Sequence, residues 1–403
     1  MRFASPLAPL HRIAFLEGRS WLPRAQSSRP GAGTGVPHVE GANAAPEYLA
    51  FGPLDEEGER TCEVVAEFEG VEVEYATIRR GCALFDEPWR GTLEVTGKDR
   101  IEFLNRLVTQ DLRTIDRGGV TRGFLTNRKG RIDADLLLVE TGSNTIIDLV
   151  IHDAASVASI MQRFVFAESV SIEDCSARMH ALSVHGPLAE TALASVGLSV
   201  PEGATVLASD LYGGTIVFKH DCLGEPGFSI RVAWNCAGAL WNDLRAHEAV
   251  RCGGWGAYNI ARIERGEPIF HIDFGPNNLP HETGVLASRV SFTKGCYPGQ
   301  EVVARMHHLG KPKQMLVGIR LQGDALPSGD AFVHEVVADG ATGRQIGTVT
   351  SSCVAPMLGA AAVAFAMIRS ESIALGTVVQ VKMEWESAIG EVHALRFFGG
   401  GNP

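Results

Sequence analysis

Apolar and polar positions along the chain repeat with two different periods. Leu93 and Val95 stand two apart, the spacing of one strand face, and Asp99 then opens a helical pattern of Ile101, Leu104, Leu107 and Val108. Residues 132–139 and 145–151 are strand-like, and Thr141-Gly-Ser-Asn144 between them has turn chemistry, so a hairpin is predicted there. Asp153 next opens a helix with Val157, Ile160, Met161 and Phe164 on one face, and a further helix over 238–250 carries Leu240, Trp241 and Leu244 on one side. Hairpins beside helices, without a strict strand–helix rhythm, predict an α+β fold with antiparallel sheets.

After Lys313 the segments become short and β-rich: 314–321, 331–338, 345–350, 377–383 and 392–398. Turn residues (Pro327-Ser-Gly-Asp330, Asp339-Gly340, Gly343) separate them, which predicts a small C-terminal β-barrel or sandwich bounded at Lys311-Pro-Lys313. The apolar run 353–368 carries Pro356 and Gly359 and falls short of the roughly 20 residues of a membrane span, so it reads as buried barrel structure. The predicted division is an N-terminal arm at 1–60, flexible over the Gly-, Pro- and Ser-rich 27–45, then a main region at 61–312 of two interleaved lobes, then the barrel at 313–403. The arginines and serines of the first 45 residues have a weak presequence character, which keeps a mitochondrial location as an alternative to the cytoplasm.

A chain of 403 residues exceeds one ordinary core, and 45% hydrophobic with 21% charged residues is a globular composition. The formal charge of −11 argues against nucleic acid and anionic membranes as partners. Between Arg289 and Arg320, however, Arg289, Lys294, Arg305, Lys311, Lys313 and Arg320 face only Glu301, a local excess that would suit an anionic ligand or a solvated basic face. The eight cysteines form no C-x-x-C spacing, which predicts reduced thiols and no zinc ribbon.

Most informative is Lys294-Gly-Cys-Tyr-Pro-Gly-Gln-Glu301, after the strand-like 290–292. Gly295, Pro298 and Gly299 impose a tight loop that would hold Cys296 between a cation, Lys294, and an aromatic ring, Tyr297. A nearby ammonium favours the reactive thiolate. Gln300 and Glu301 have the reach to hydrogen-bond the loop backbone, and the bland alternative is a structural cysteine in a turn. The octapeptide resembles the K-G-C-[FY]-x-G-Q-E motif of YgfZ proteins, a branch of the folate-binding glycine-cleavage T-protein superfamily with mitochondrial iron–sulfur assembly relatives. From about Tyr75 onward other stretches are similar to family landmarks: Arg90–Arg100, Gly224-Glu-Pro-Gly-Phe228, Ala261-Arg-Ile-Glu-Arg-Gly266, Asp273, Pro280-His-Glu-Thr-Gly284, Ile346-Gly-Thr-Val-Thr-Ser351 and Pro356.

The resemblance implies T-protein folate-binding domains followed by the barrel, with tetrahydrofolate or a derivative as cofactor. A pterin edge presents a ring N–H beside an amino group, and one carboxylate accepts both. Glu225 stands where the family places that carboxylate; its alternative is an ordinary turn glutamate. Arg262 falls in the folate-contacting stretch, or else forms a structural ion pair with Glu264 or another acid. Tyr297, Gln300, Glu301 and Arg305 are the remaining candidate cofactor contacts, and Cys296, Lys294 and Asp135 the candidate catalytic residues. In place of the family's paired aspartates stands Gly130-Arg-Ile-Asp-Ala-Asp135, so the first becomes Ala134 and the second stays as Asp135. That departure speaks against ordinary aminomethyl transfer.

His271 and Asp273 with His281 and Glu282 sketch a metal site without helical register, and the side chains of His307-His308 diverge, so no metal is predicted. The leading reading is a tetrahydrofolate-binding protein of YgfZ type that supports iron–sulfur cluster assembly or maintenance, with iron–sulfur proteins as partners. Its rivals are a folate-dependent aminomethyltransferase or demethylase and a non-catalytic interaction module that has lost its ligand.

Overall fold

The structure, a computed structural model, describes residues 3–19, 45–54, 58–115, 118–336 and 342–398. The predicted flexible arm at 27–45 therefore lies, but for Ala45, outside the described residues.

Two sheets stand face to face. The first is wholly antiparallel, in the order Val120–Thr126, Ile132–Glu140, Thr145–Val150, Arg90–Thr96 and Ser171–Asp174. Strand periodicity gives it two unlike faces. Leu93, Val95, Leu125, Ala134, Leu136, Leu138, Ile147 and Leu149 form one buried layer with helices Arg100–Asn105 and Ala154–Gln162. On the opposite face the register sets Arg122 against Leu137, Leu137 against Asp148 and Asp148 against Thr92. The second sheet runs Val206–Ser209, Thr215–Lys219, Gly227–Ala233, Met179–His185, Cys82–Asp86 and Val250–Gly253, antiparallel except for its last pair. Its outer face buries Leu84, Leu182, Val184, Val217, Phe228, Ile230 and Val232 against Leu240, Trp241 and Leu244 of helix Ala237–Arg245. At about 1.5–3 kcal/mol for each large apolar side chain fully buried, the two outer cores supply the main driving force. The inner faces meet through Leu137, Val139, Ile146 and Phe218, and beyond that small apolar contact they carry charge.

The chain's third part is a closed barrel, in the order Gln314–Leu321, Ala361–Arg369, Thr342–Ala355, Phe332–Val336, Val378–Lys382 and Ser387–His393, the last pairing back to the first. Closure removes the exposed edges that an open sheet of this size would leave. It docks on helix Trp255–Arg265, where the Glu264 carboxylate accepts the Met357 N–H at 3.0 Å.

Several expectations need correction. Parts of 1–60 belong to the fold: helix Ala8–Arg19 follows Leu7 and buries Ala14 and Phe15 in the second sheet's core, and Tyr48–Leu54 pairs with Arg60–Val65. Asp153 precedes its helix but spends its carboxylate on His271, 2.9 Å away, rather than on a cap. The helix at 238–250 ends at Arg245, and Val250 begins a strand. Residues 290–292 are extended at Val290 but pair with no strand among the described residues, and helix Gln300–Leu309 follows. No helix among the described residues is long and apolar enough to cross a membrane.

Candidate functional site

The inner faces of the two sheets hold a buried layer of four arginines and four carboxylates. Asp148 accepts from Arg90 Nε at 2.9 Å and Arg90 Nη2 at 2.6 Å, and Arg231, fully buried on the facing sheet, pairs with it across the gap. Burial opposes the Asp148 charge, yet the Arg231 and Arg90 guanidinium groups hold its pKa down at about 2. Glu87 accepts the Ser183 hydroxyl at 2.9 Å, and burial pushes its pKa up to about 7 despite Arg231 and Arg90 nearby. Toward the open side, Asp135 lies between Arg122 Nη2 at 3.0 Å and Arg289 Nε at 3.1 Å. Glu267 binds the same two arginines, 2.9 Å from Arg289 Nη2, and they outweigh burial to keep its pKa at about 2. His220 touches this group through charge and donates or accepts at Ser229 Oγ, 3.1 Å away, while its Nε2 has no partner among the described residues. Burial pushes its pKa down to about 3.

Ala134 points away from this layer into the helix-covered core, and Asp135 points into it. The alternation of a strand makes this unavoidable: a carboxylate at position 134 would have no route to the inner layer.

Glu225 lies in the turn between Thr215–Lys219 and Gly227–Ala233, where Gly224 takes a left-handed φ of 88° and Asp221 Oδ1 accepts the Gly227 N–H at 2.9 Å. Its side chain is 26% exposed, and only Oε1 is engaged among the described residues, 3.5 Å from Arg79 Nη1. Arg79, on helix Val71–Arg80, donates to the Leu223 carbonyl at 2.7 Å, to Glu264 Oε2 at 2.8 Å and to the Tyr75 hydroxyl at 3.1 Å. The glutamate thus rests on a cation that its own helix and Glu264 already fix.

Arg262 takes the second of its two expected roles, with a different partner. It is 1% exposed and gives its N–H groups to Asp273 and Ser351 at 2.7 Å each and to Asn259 at 2.9 Å. Asp273 also accepts the Ser351 hydroxyl at 2.6 Å, so the cluster ties the barrel to helix Trp255–Arg265. Arg262 is a structural ion pair, and a folate carboxylate has no access to it.

The Cys296 loop closes on the first sheet. Gly299 has φ 80°, and a Cβ there would lie 2.3 Å from the Asn127 carbonyl oxygen and 2.7 Å from Gly130 Cα, which makes glycine mandatory at this crossing. Thr126 Oγ1 donates to the Pro298 carbonyl at 2.6 Å. Lys294 turns inward: its ammonium is spent on the carbonyls of Asn105, Val108 and Gln110 at 2.5, 2.6 and 2.9 Å, three acceptors for three N–H groups. Burial pushes its pKa down to about 8. The ammonium expected to face Cys296 is thus directed at these carbonyls beneath the surface, while Cys296 itself is exposed. Tyr297 is buried with its ring centroid 5.5 Å from Lys294 Nζ. Gln300 Nε2 faces the carbonyls of Lys294 and Gly295 at 3.5 and 3.4 Å, while Glu301 and Arg305 are exposed on the following helix. Of the basic residues expected to draw an anion, Arg289 and Lys294 are buried and committed.

Cys296 is the one exposed cysteine of eight. It opens on a cleft of about 460 Å³ walled by Phe103, Leu107, Phe164, Phe166 and Arg106. Glu225 does not line this cleft, so the acidic candidate and the exposed thiol do not share it. Sequence reasoning missed Arg79, Arg122, Asp148, Arg231 and Glu267, and named Arg90 and Arg289 without their place in this layer. A charge inside an otherwise apolar strand (Asp148 in Thr145–Val150, Arg231 in Gly227–Ala233) was the available signal.

The GCVT N-terminal domain model matches residues 47–294, and the glycine cleavage T-protein C-terminal barrel domain model matches 314–398. This chain belongs to the glycine-cleavage T-protein family. It is 28% identical to the aminomethyltransferase of Caldanaerobacter subterraneus over 329 residues, 78% of this chain and 84% of that protein. Against the Bacillus subtilis aminomethyltransferase it is 26% identical over 333 residues, 80% of this chain and 89% of that one. The crystal structure of glycine cleavage system aminomethyltransferase T from Bartonella henselae superposes with a TM-score of 0.78 at 22% identity, covering 88% of this chain and 94% of that chain, so the fold is that of T-proteins. Tetrahydrofolate is the cofactor of T-proteins.

Proposed function

We propose that this T-protein binds tetrahydrofolate with the pterin edge on Glu225 and acts as a folate-dependent one-carbon transferase of the aminomethyltransferase class. The observation that carries the reading is the Glu225 carboxylate, accessible and with Oε2 uncommitted among the described residues, on a turn fixed by Arg79 and Asp221. Its donor chemistry fits the group, since an ionised carboxylate accepts two parallel N–H bonds. The aminomethyltransferases to which the chain is similar over most of its length support the same class. So does position 134: alanine there faces an apolar core, and the carboxylate that reaches the inner layer, Asp135, is present. When bound, the folate supplies the nucleophilic nitrogen, and the protein supplies orientation and fixed charge. Glu225 would hold the ring, and the layer of Arg122, Asp135, Glu267 and Arg289 would present preset charges that need no reorganisation. Incubating the purified chain with tetrahydrofolate and an aminomethyl donor tests this: methylene-folate formation with release of ammonia is expected from the wild type and not from Glu225→Ala.

A second reading is favoured by the Cys296 loop. The complete Lys294–Glu301 motif and the lone exposed thiol in an apolar-walled cleft support a YgfZ-type role, in which folate binding accompanies support of iron–sulfur proteins. Here Lys294 holds the loop closed and Cys296 meets the partner. In cells lacking the protein, Cys296→Ser is expected to leave iron–sulfur enzymes impaired; full rescue by that variant removes this reading and leaves the first intact.

A further inference from the structure

The basic residues between 289 and 320 divide once their surroundings are known, and some of them have no role in either reading. Arg289 and Lys294 are buried and committed, and Arg320 stands in register with Glu391 on the barrel. Arg305, on helix Gln300–Leu309, and Lys311 and Lys313 just beyond it are exposed. The fold brings further cations to this helix from far along the chain. The turn between Val120–Thr126 and Ile132–Glu140 carries Arg128, Lys129 and Arg131, all exposed, and crosses the start of the helix. Contact there is close: a Cβ added at Gly130 would lie 3.0 Å from Val302 Cβ and 3.4 Å from the Gly299 carbonyl oxygen. Arg305 follows Val302 by three residues and so shares its helix face. Of these six exposed cations only Arg131 gives its side chain to a partner among the described residues, the Asn277 carbonyl. The acids of the two elements offset them little, since Glu301 is exposed and unpaired among the described residues, and Asp133 accepts from Asn127 Nδ2 at 2.9 Å. Apolar surface is interleaved with the charge: Val302 is 36% exposed, and Leu309, two turns further on, is 85% exposed.

From this juxtaposition we infer that the 127–131 turn and the exposed face of helix Gln300–Leu309 form a docking surface for an acidic, partly apolar segment of another protein. Charge selects the occupant. The chain as a whole carries −11, so these cations stand out against a remainder that is more acidic still and repels extended polyanions. A nucleic-acid duplex carries one charge per roughly 1.7 Å and would run past the patch into that remainder. An anionic membrane, being a plane, meets the same obstacle. A short acidic segment does not, because it can be confined to the cations themselves. Like charges gathered on one face repel one another, and acidic side chains laid among them relieve that repulsion while setting the register of docking. Val302 and Leu309 add apolar contact of the kind that a protein interface buries at its centre. The inference depends on neither reading above, since it concerns what this face holds and not the chemistry at Glu225 or Cys296.

The test titrates the full-length chain into a fluorescein-labelled peptide of Glu-Glu-Leu repeats and follows anisotropy. Saturable binding to the wild type is expected, weakening as salt rises from about 50 mM to about 300 mM, with no binding of the matching Gln-Gln-Leu peptide. The triple variant Arg128→Ala, Lys129→Ala, Arg305→Ala should bind tenfold more weakly or worse, and Leu309→Ser about threefold more weakly. All four positions are exposed, so these variants keep the fold. A control that removes charge elsewhere, Lys98→Ala with Lys382→Ala, should bind as the wild type does, and so should Glu225→Ala and Cys296→Ser. Absence of binding by the wild type overturns the proposal, and so does equal affinity in the triple variant. Tighter binding of a single-stranded oligonucleotide or of phosphatidylserine vesicles also overturns it, in favour of a phosphate ligand. Salt-sensitive dimerisation of the wild type alone, lost in the triple variant, overturns it in favour of a second copy of this chain.

Discussion

The inter-sheet layer and the Cys296 loop are both rich in charged and reactive groups, and they are built on opposite plans. In the layer, Arg90, Arg231 and Asp148 come from strands far apart in sequence and are buried with short, mutual contacts. In the loop, the neighbours Lys294 and Cys296 diverge, one ammonium saturated by carbonyls beneath the surface and one thiol left on an open cleft. A paired buried network fixes geometry and presents a constant field, whereas a lone exposed group on a braced loop is free to meet a second molecule. Within one chain, then, charge that serves as scaffold is recognised by its partners, and a reactive group by its lack of them.

That contrast can be broken by substitution. The largest effect is expected at Asp148→Ala, which strands Arg90 and Arg231 and should cost about 3–5 kcal/mol in chemical denaturation, against less than about 0.5 kcal/mol for Cys296→Ser. Gly299→Ala places a Cβ against the Asn127 carbonyl at a left-handed φ and should cost at least about 2 kcal/mol by the same measurement. Lys294→Met removes the donor to three carbonyls and should cost about 1–3 kcal/mol, while the alkylation rate of Cys296 stays as in the wild type. A slowed alkylation would instead return Lys294 to the activating role.

A graded effect is expected in pH dependence. Glu87 has a folded pKa of about 7, above the ordinary value of 4.5, so between these values the native state holds more protons than the unfolded chain. Stability from this group is complete below the lower value and declines as pH rises through about 7, with a slope of at most about 1.4 kcal/mol per pH unit. Glu87→Gln should flatten that part of a stability–pH profile measured from pH 4.5 to 8.

How far the sequence reaches follows the same division. Alternation at Leu93 and Val95, the hairpin at Thr141–Asn144 and the β-rich stretch after Lys313 were legible because each is a local pattern with one physical reading. The inner layer was not, since Arg90, Asp148 and Arg231 appear singly in apolar strands and acquire meaning only when two sheets oppose them. Lys294 misled for a related reason: closeness in sequence suggests a shared environment, but its ammonium is drawn inward by the carbonyls of Asn105, Val108 and Gln110, which come from a distant stretch of the chain. The motif's expected strand at 290–292 gave way because Phe292 is held by the His307 ring, which makes the segment a loop that feeds a helix. Strand alternation already set Ala134 on the face opposite Asp135; that this face is packed into the helix-covered core became visible only in the fold.

Calorimetric titration of tetrahydrofolate into the wild-type chain and into Glu225→Gln tests the central claim most directly. One site is expected in the wild type, weakened at least tenfold when the carboxylate becomes an amide that can accept only one of the two pterin hydrogens. Equal binding by both proteins, or none by the wild type, contradicts the placement of folate on Glu225.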